Sequence, residues 1–343
     1  MQDRRIAGFA TLVACCHRAL DRSIAVPGAL DEADATLLVR LARRHRVQGL
    51  VVDALGDAAP LALIAEALTN AAGNLQAALA CARISAALRS AGVDHLFLKG
   101  LTLGALAWPR PGAKMSKDID LLVAPDAVCA AAEVLQTTGY RLAMPASIGA
   151  LAAYHRHSKE SVWIAEDGGA PIELHARVFD NMATAPMLGL ATPRQRVTVA
   201  PGITIETFAP APLLAYLCAH GATSLWFRLK WAADLAALIA WMGPEAVAAS
   251  IGEADLWVPQ RMVGAAMTLV ERLFDMSVGG EAAGDWATRW LVNASGRALQ
   301  SMTEPTERRL GTVPIHLAHL LFRPGVRFAA GDAVRQIRAV AGR

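Results

Sequence analysis

Leu96-Phe-Leu-Lys-Gly-Leu-Thr-Leu-Gly-Ala-Leu-Ala-Trp-Pro-Arg-Pro-Gly-Ala-Lys-Met-Ser-Lys-Asp-Ile-Asp-Leu-Leu-Val123 is the stretch on which the reading of this chain turns. Its last six residues, Asp118 to Val123, read as a strand with carboxylates at i and i+2. Side chains two apart on a strand leave the same face. Asp118 and Asp120 therefore stand side by side, while Ile119, Leu121 and Val123 face the core. Two adjacent carboxylates repel each other, and a divalent cation relieves that repulsion. Hard oxygen ligands suit Mg²⁺. An Asp-x-Asp pair by itself is also common on exposed strands and loops.

Upstream, Val93–Leu98 reads as a short apolar strand that ends in Lys99-Gly100. A glycine there lets the backbone approach a ligand closely. The helix that follows directs its first N–H groups outward, which makes a corner suited to phosphate. Lys99 can add a point charge. Downstream, Pro171-Ile-Glu-Leu-His-Ala-Arg-Val178 alternates strictly. Ile172, Leu174, Ala176 and Val178 form one face, and Glu173, His175 and Arg177 the other. A carboxylate on that polar face can complete a site of three acids. An amphipathic strand with a solvated face satisfies the same pattern.

The flanks are helical. Apolar residues recur at helical spacing in Thr36–Val52 and Leu61–Leu88, and Gly92 suits a C-cap. Between residues 92 and 208 the pattern is mixed. A helix is predicted over Pro125–Thr138. One hairpin joins Ser161–Ala165 to Pro171–Val178 across Glu166-Asp167-Gly168-Gly169, and another joins Arg196–Val199 to Ile203–Phe208. Helical periodicity returns in Pro212–Thr223, Leu225–Met242, Leu256–Phe274 and Trp286–Met302. The division expected is an N-terminal helical region (1–91), an α/β core (92–208) and a C-terminal helical domain (209–343). The fold class is α+β, a mixed sheet with helices flanked by helical regions. The tail, 323–343, holds five arginines against Asp332, which fits a solvated amphipathic helix or a contact with an anionic substrate.

Composition sets wide bounds. Of the 343 residues, 54% are hydrophobic and only 18% charged, enough to bury large cores and too apolar for a disordered chain. A net charge of +3 neither demands nucleic acid nor excludes it. The five cysteines are odd in number and lack metal-ligand spacing, which points to a reducing, cytoplasmic setting. No run of about 20 apolar residues is free of charge, so no membrane partner is expected.

The order of these motifs resembles the uncharacterised bacterial nucleotidyltransferase family of the DNA polymerase β-like superfamily. The likeness rests on Lys99-Gly100, Trp108-Pro109, Lys114, Asp118–Val123, Glu173-Leu174-His175, His220 and Trp231-Ala-Ala-Asp234-Leu235-Ala236, over residues 90 to 242. It implies a polymerase β-type core. Asp118, Asp120 and Glu173 would be the catalytic carboxylates and the ligands of two Mg²⁺ ions. It implies an NTP, ATP included, as donor and NMP transfer to a hydroxyl or phosphate on a small molecule, a peptide or an RNA end. Lys99, Gly100, Ser116, Lys117, Lys159 and His220 become candidate nucleotide contacts. Phosphoryl transfer to a peptide natural product by the same site is the nearest alternative. A degenerate nucleotide-binding or partner-binding protein is the other, although all three acids are present. Asp234, one turn after Lys230, is expected as a structural ion-pair or capping partner. His155 and His157, before Lys159, fit a core or surface role as well as a catalytic one.

Overall fold

The computed structural model describes residues 2–28, 30–277 and 284–341. Met1, Ala29, residues 278–283, Gly342 and Arg343 lie outside them, so the last arginine of the basic tail does too. Three helices open the chain: α1 (Gln2–Leu20), α2 (Glu32–His45) and α3 (Gln48–Leu55). The Asp31 carboxylate caps α2 by accepting the Asp34 N–H at 2.7 Å. At its other end Arg46 takes a left-handed conformation, φ 56°, and its N–H returns to Ala42 and Arg43. The single helix periodicity of Thr36–Val52 is therefore broken into two at this residue. The long α4 (Leu61–Ser90) closes where Gly92, φ 69°, turns the chain.

The α/β part comprises β1 (His95–Phe97), α5 (Leu101–Ala107), β2 (Ile119–Val123), α6 (Val128–Thr137), β3 (Tyr140–Met144), α7 (Leu151–His155), β4 (Glu160–Ala165) and β5 (Ile172–His175). These strands form one mixed sheet in the order β1-β2-β5-β4-β3. Only the β2–β5 ladder is parallel, and it sets Asp120 opposite Glu173. A separate hairpin, β6 (Arg194–Ala200) and β7 (Ile203–Phe208), follows. It docks beside β1, where the Thr207 hydroxyl donates to the Leu98 carbonyl at 3.3 Å.

The remaining helices are α8 (Pro210–Thr223), α9 (Leu229–Met242), α10 (Pro244–Glu253), α11 (Gln260–Phe274), α12 (Trp286–Leu299), α13 (Val313–Leu321) and α14 (Val326–Ala341). Among the described residues no single helix is long and apolar enough to cross a membrane.

Period-2 alternation divides the apolar residues between two cores. Ile119, Leu121, Val123, Ile172, Leu174 and Ala176 point to one face of the sheet, against α4 and α6. Leu96, Leu98 and Leu122 point to the other, and there α1 to α3 and α8 to α12 share one continuous core. Asp120, Glu173 and His175 leave from this second face. Strand β5 is shorter than its alternation predicts. Its partner β4 begins at Glu160, so the ladder ends with His175 opposite Glu160 and the Ala176 N–H on the Lys159 carbonyl. The chain then bends, and Val178 packs into the second core rather than alongside Ile172.

The basic tail is anchored by its single acid. Asp332, 1% exposed, accepts from Arg335 and from Asn181, each at 2.8 Å.

Candidate active site

The polar face of β2 and β5 gathers its acids around His175. The parallel register sets Asp120 and Glu173 side by side, and β4 brings Glu160 opposite His175. His175 Nε2 lies 3.2 Å from Asp120 Oδ1, 3.5 Å from Glu160 Oε2 and 3.8 Å from Glu173 Oε2. One ligand atom each from Asp120, Glu173 and His175 falls within 4.8 Å of the others. His175 therefore lies within the cluster, fully buried, and not at its margin.

Charge inside this cluster is balanced by Lys99. Its ammonium sits on Asp120 Oδ1 at the end of β1, and both groups are largely removed from water. Burial works against the Asp120 carboxylate, but Lys99 and then His175 outweigh it and hold its pKa well below the usual range. Burial likewise opposes the Lys99 ammonium, and Asp120 raises it well above an ordinary lysine. His175 is raised as well: burial and Lys159 disfavour its charge, while Asp120 and Glu173 favour it more. The second oxygen of Asp120, Oδ2, is buried with no hydrogen-bond partner. A buried carboxylate oxygen left without a donor, on a residue grouped with Glu173 and His175, suits a divalent cation.

Asp118 stands one residue before β2. It is half-buried in an adjoining cleft, walled by Lys99, Gly100, Lys114, Ser116, His220, Lys230 and Trp231. Its carboxylate is outside the set of mutually close ligand atoms. Gly100 turns the chain with φ 69°, and a Cβ there would lie 3.3 Å from Ser116 Oγ. Lys117 is exposed. His220 sits between Tyr216 and Trp231 at centroid distances of 5.7 Å. Burial and then Lys99 push its pKa well down, so it is neutral. Lys159 is turned onto Glu160. His155 belongs to the core: its Nε2 bonds Ser161 Oγ at 3.1 Å, and burial lowers its pKa to about 4.

The distant motifs meet as a support beneath this cleft. Trp108 Nε1 donates to Asp234 Oδ1 at 3.1 Å, and Lys114 Nζ lies 3.4 Å from Asp234 Oδ2. Asp234 thus clamps the loop that leads to Asp118 onto α9. Asp234→Ala should lower the unfolding free energy by about 3 kcal/mol, because it leaves a buried ammonium and an indole N–H without partners. A urea titration showing a loss under about 1 kcal/mol would remove the clamp role.

Sequence reasoning passed over Glu160, Arg46 and the inward placement of His175. Period-2 alternation in β5 already put His175 on the face of Glu173. Glu160 carried no signal until strand pairing was known.

With this geometry in place, the class is plain: an α+β fold with a nucleotidyltransferase-type core and an acidic, histidine-containing centre that can take a metal. The chain belongs to the uncharacterised nucleotidyltransferase family, whose model matches residues 31–275. Membership supports a transferase that takes an NTP. A comparison with curated proteins finds no match.

Proposed function

We propose that the protein moves NMP from an NTP to a hydroxyl or phosphate acceptor, with Asp118, Asp120 and Glu173 holding two Mg²⁺ ions. The observation that carries this reading is the parallel ladder that sets Glu173 beside Asp120 on one polar face, with Asp120 Oδ2 buried and unpaired. Cations held by these carboxylates would neutralise the triphosphate and lower the pKa of the acceptor hydroxyl.

The chain's own groups do the rest. Lys99 and His175 keep Asp120 ionised and fix its orientation. Glu173, half-exposed beside it, takes the proton of the acceptor hydroxyl. The acceptor oxygen bonds the α-phosphorus as the bond to pyrophosphate breaks, and pyrophosphate leaves with the negative charge. Gly100 and Ser116 shape the corner beside the phosphates, and half-buried, neutral His220 lines the cleft from α8. Most of the acceleration comes from positioning and charge neutralisation.

The test is incubation of the protein with each NTP, Mg²⁺ and a cell extract, followed by mass analysis of new products. An acceptor that gains the mass of an NMP, with matching pyrophosphate release, is the expected result. A gain of phosphate alone would replace this reading with phosphoryl transfer. NTP binding with no product in any extract would make the chain a binding protein.

A further inference from the structure

The cations around the cleft divide into committed and free ones. Lys99 is paired with Asp120, Lys159 with Glu160 and Lys114 with Asp234. Arg43 is held by Glu66, and Arg44 and Arg228 by Glu304. Among the described residues, Arg46, Lys117 and Lys230 have no carboxylate within ion-pair distance. A triphosphate needs cations that are not already spent on carboxylates.

Arg46 is the unusual member of this group. It occupies the corner between α2 and α3 with φ 56°, a left-handed conformation that glycine adopts at helix ends without a steric penalty. Its backbone N–H closes α2, a task any residue with that φ performs. Its guanidinium makes no hydrogen bond or ion pair among the described residues, so the side chain repays none of the strain within the protein. The corner is wedged firmly in place. The Leu229 N–H donates to His45 Nδ1 at 3.0 Å, which ties it to the start of α9. Gly49, three residues on, abuts the Ala113 carbonyl of the loop leading to Asp118. The Arg46 charge stands in the field of Arg228, Glu304, Asp118 and Glu173, and that of Lys117 in the field of Arg46 and Asp118. A strained corner held by rigid neighbours against the loop that leads to Lys117 and Asp118, carrying a cation with no partner among the described residues, is the arrangement of a ligand clamp.

We infer that Arg46, with Lys117, forms a polyphosphate subsite that grips the β- and γ-phosphates of the donor and the pyrophosphate that leaves. This rests on the nucleotidyl-transfer reading of the neighbouring carboxylates. The guanidinium fork binds two phosphate oxygens at once, and Lys117 adds a point charge at the exposed rim. The corner is built from the N-terminal helices, so these helices contribute directly to the donor site.

Arg46→Gly separates the side chain from the strain. Titration calorimetry of the full chain would use Mg²⁺ with an NTP, inorganic tripolyphosphate or an NMP. The variant should melt no lower than wild type. It should bind NTP and tripolyphosphate roughly tenfold or more weakly, and NMP unchanged. Arg46→Gln, read in the same way, serves if the glycine variant does not fold. Wild-type affinity for tripolyphosphate in either variant overturns the subsite, and so does lost binding accompanied by a lower melting temperature. Wild-type protein that binds tripolyphosphate through Arg46 yet transfers no NMP upholds the subsite and sinks the transfer reading. Wild-type protein that binds neither NTP nor tripolyphosphate overturns both.

Discussion

Asp118→Asn should cut NMP transfer at least about a thousand-fold, ~4 kcal/mol of barrier, while leaving the melting temperature unchanged or slightly raised. Asp118 is half-exposed, forms no ion pair among the described residues and stands near a second acid. Neutralising it breaks no ion pair among the described residues, and the repulsion relieved beside Asp120 offsets the attraction lost to Lys99, Lys117 and Lys230. Asp120→Asn should abolish transfer equally and also cost about 3 kcal/mol of stability, because it leaves the Lys99 ammonium buried without its counter-ion. The linkage has a defined sign. The depressed Asp120 pKa contributes stability above the unfolded carboxyl value of about 3.9, lost as pH falls through the lower folded value. The raised Lys99 pKa contributes stability below the unfolded value of about 10.4, lost as pH rises through the higher folded one. Urea midpoints measured from about pH 4 to pH 10 should show Asp120→Asn below wild type throughout. Equal stability of the two variants would mean that Lys99 and Asp120 are not a buried pair.

Gly49→Ala should be strongly damaging for the addition of one methyl group. A Cβ at residue 49 would lie 2.3 Å from the Ala113 carbonyl oxygen and 3.0 Å from its carbon. Both atoms are backbone, so no rotamer can yield, and either α3 or the loop must move. The expected cost is about 3 kcal/mol. Transfer should fall with it, since the same loop runs through Lys114 to Asp118. Gly73→Ala is the matched control. It lies inside α4 with nothing within 4 Å of the added carbon, and should stabilise by about 0.5–1 kcal/mol. Thermal melts that move in the same direction for both would refute the contact.

How far the sequence carried depended on the range of the interaction. Alternation in Asp118–Val123 and Pro171–His175 correctly assigns Ile119, Leu121, Ile172 and Leu174 to one core, because side-chain direction on a strand is local. The apolar periodicity of α4, α9 and α11 locates helices for the same reason. Strand β3 escapes such a reading: Tyr140-Arg-Leu-Ala-Met144 is an edge strand with one buried residue and a break in register, so it shows no clean period. The alternation overruns the end of β5 because strand length is set by the partner, and β4 simply starts at Glu160. In the candidate site, the three carboxylates could be nominated from spacing and resemblance. That Lys99 would pair with Asp120 rather than stand free could not. Nor could the arrival of Arg46 from a helix corner more than 70 residues before Asp118, since nothing local links the two.

The core shared by α1 to α3 and α8 to α12 has a consequence for synthesis on the ribosome. Helix α1 emerges with apolar faces bare, and its partners α9 and α11 lie more than 200 residues downstream. At roughly 5–20 residues per second, the nascent chain waits about 10–40 s before those faces can be covered. During that interval the segment is a client for chaperones. The Arg46 corner cannot be seated against Leu229 until α9 has left the tunnel. A chain truncated or stalled before α9 would therefore carry the acidic centre with its Arg46 corner unseated. Such a chain would be a target for proteolysis rather than a partial enzyme.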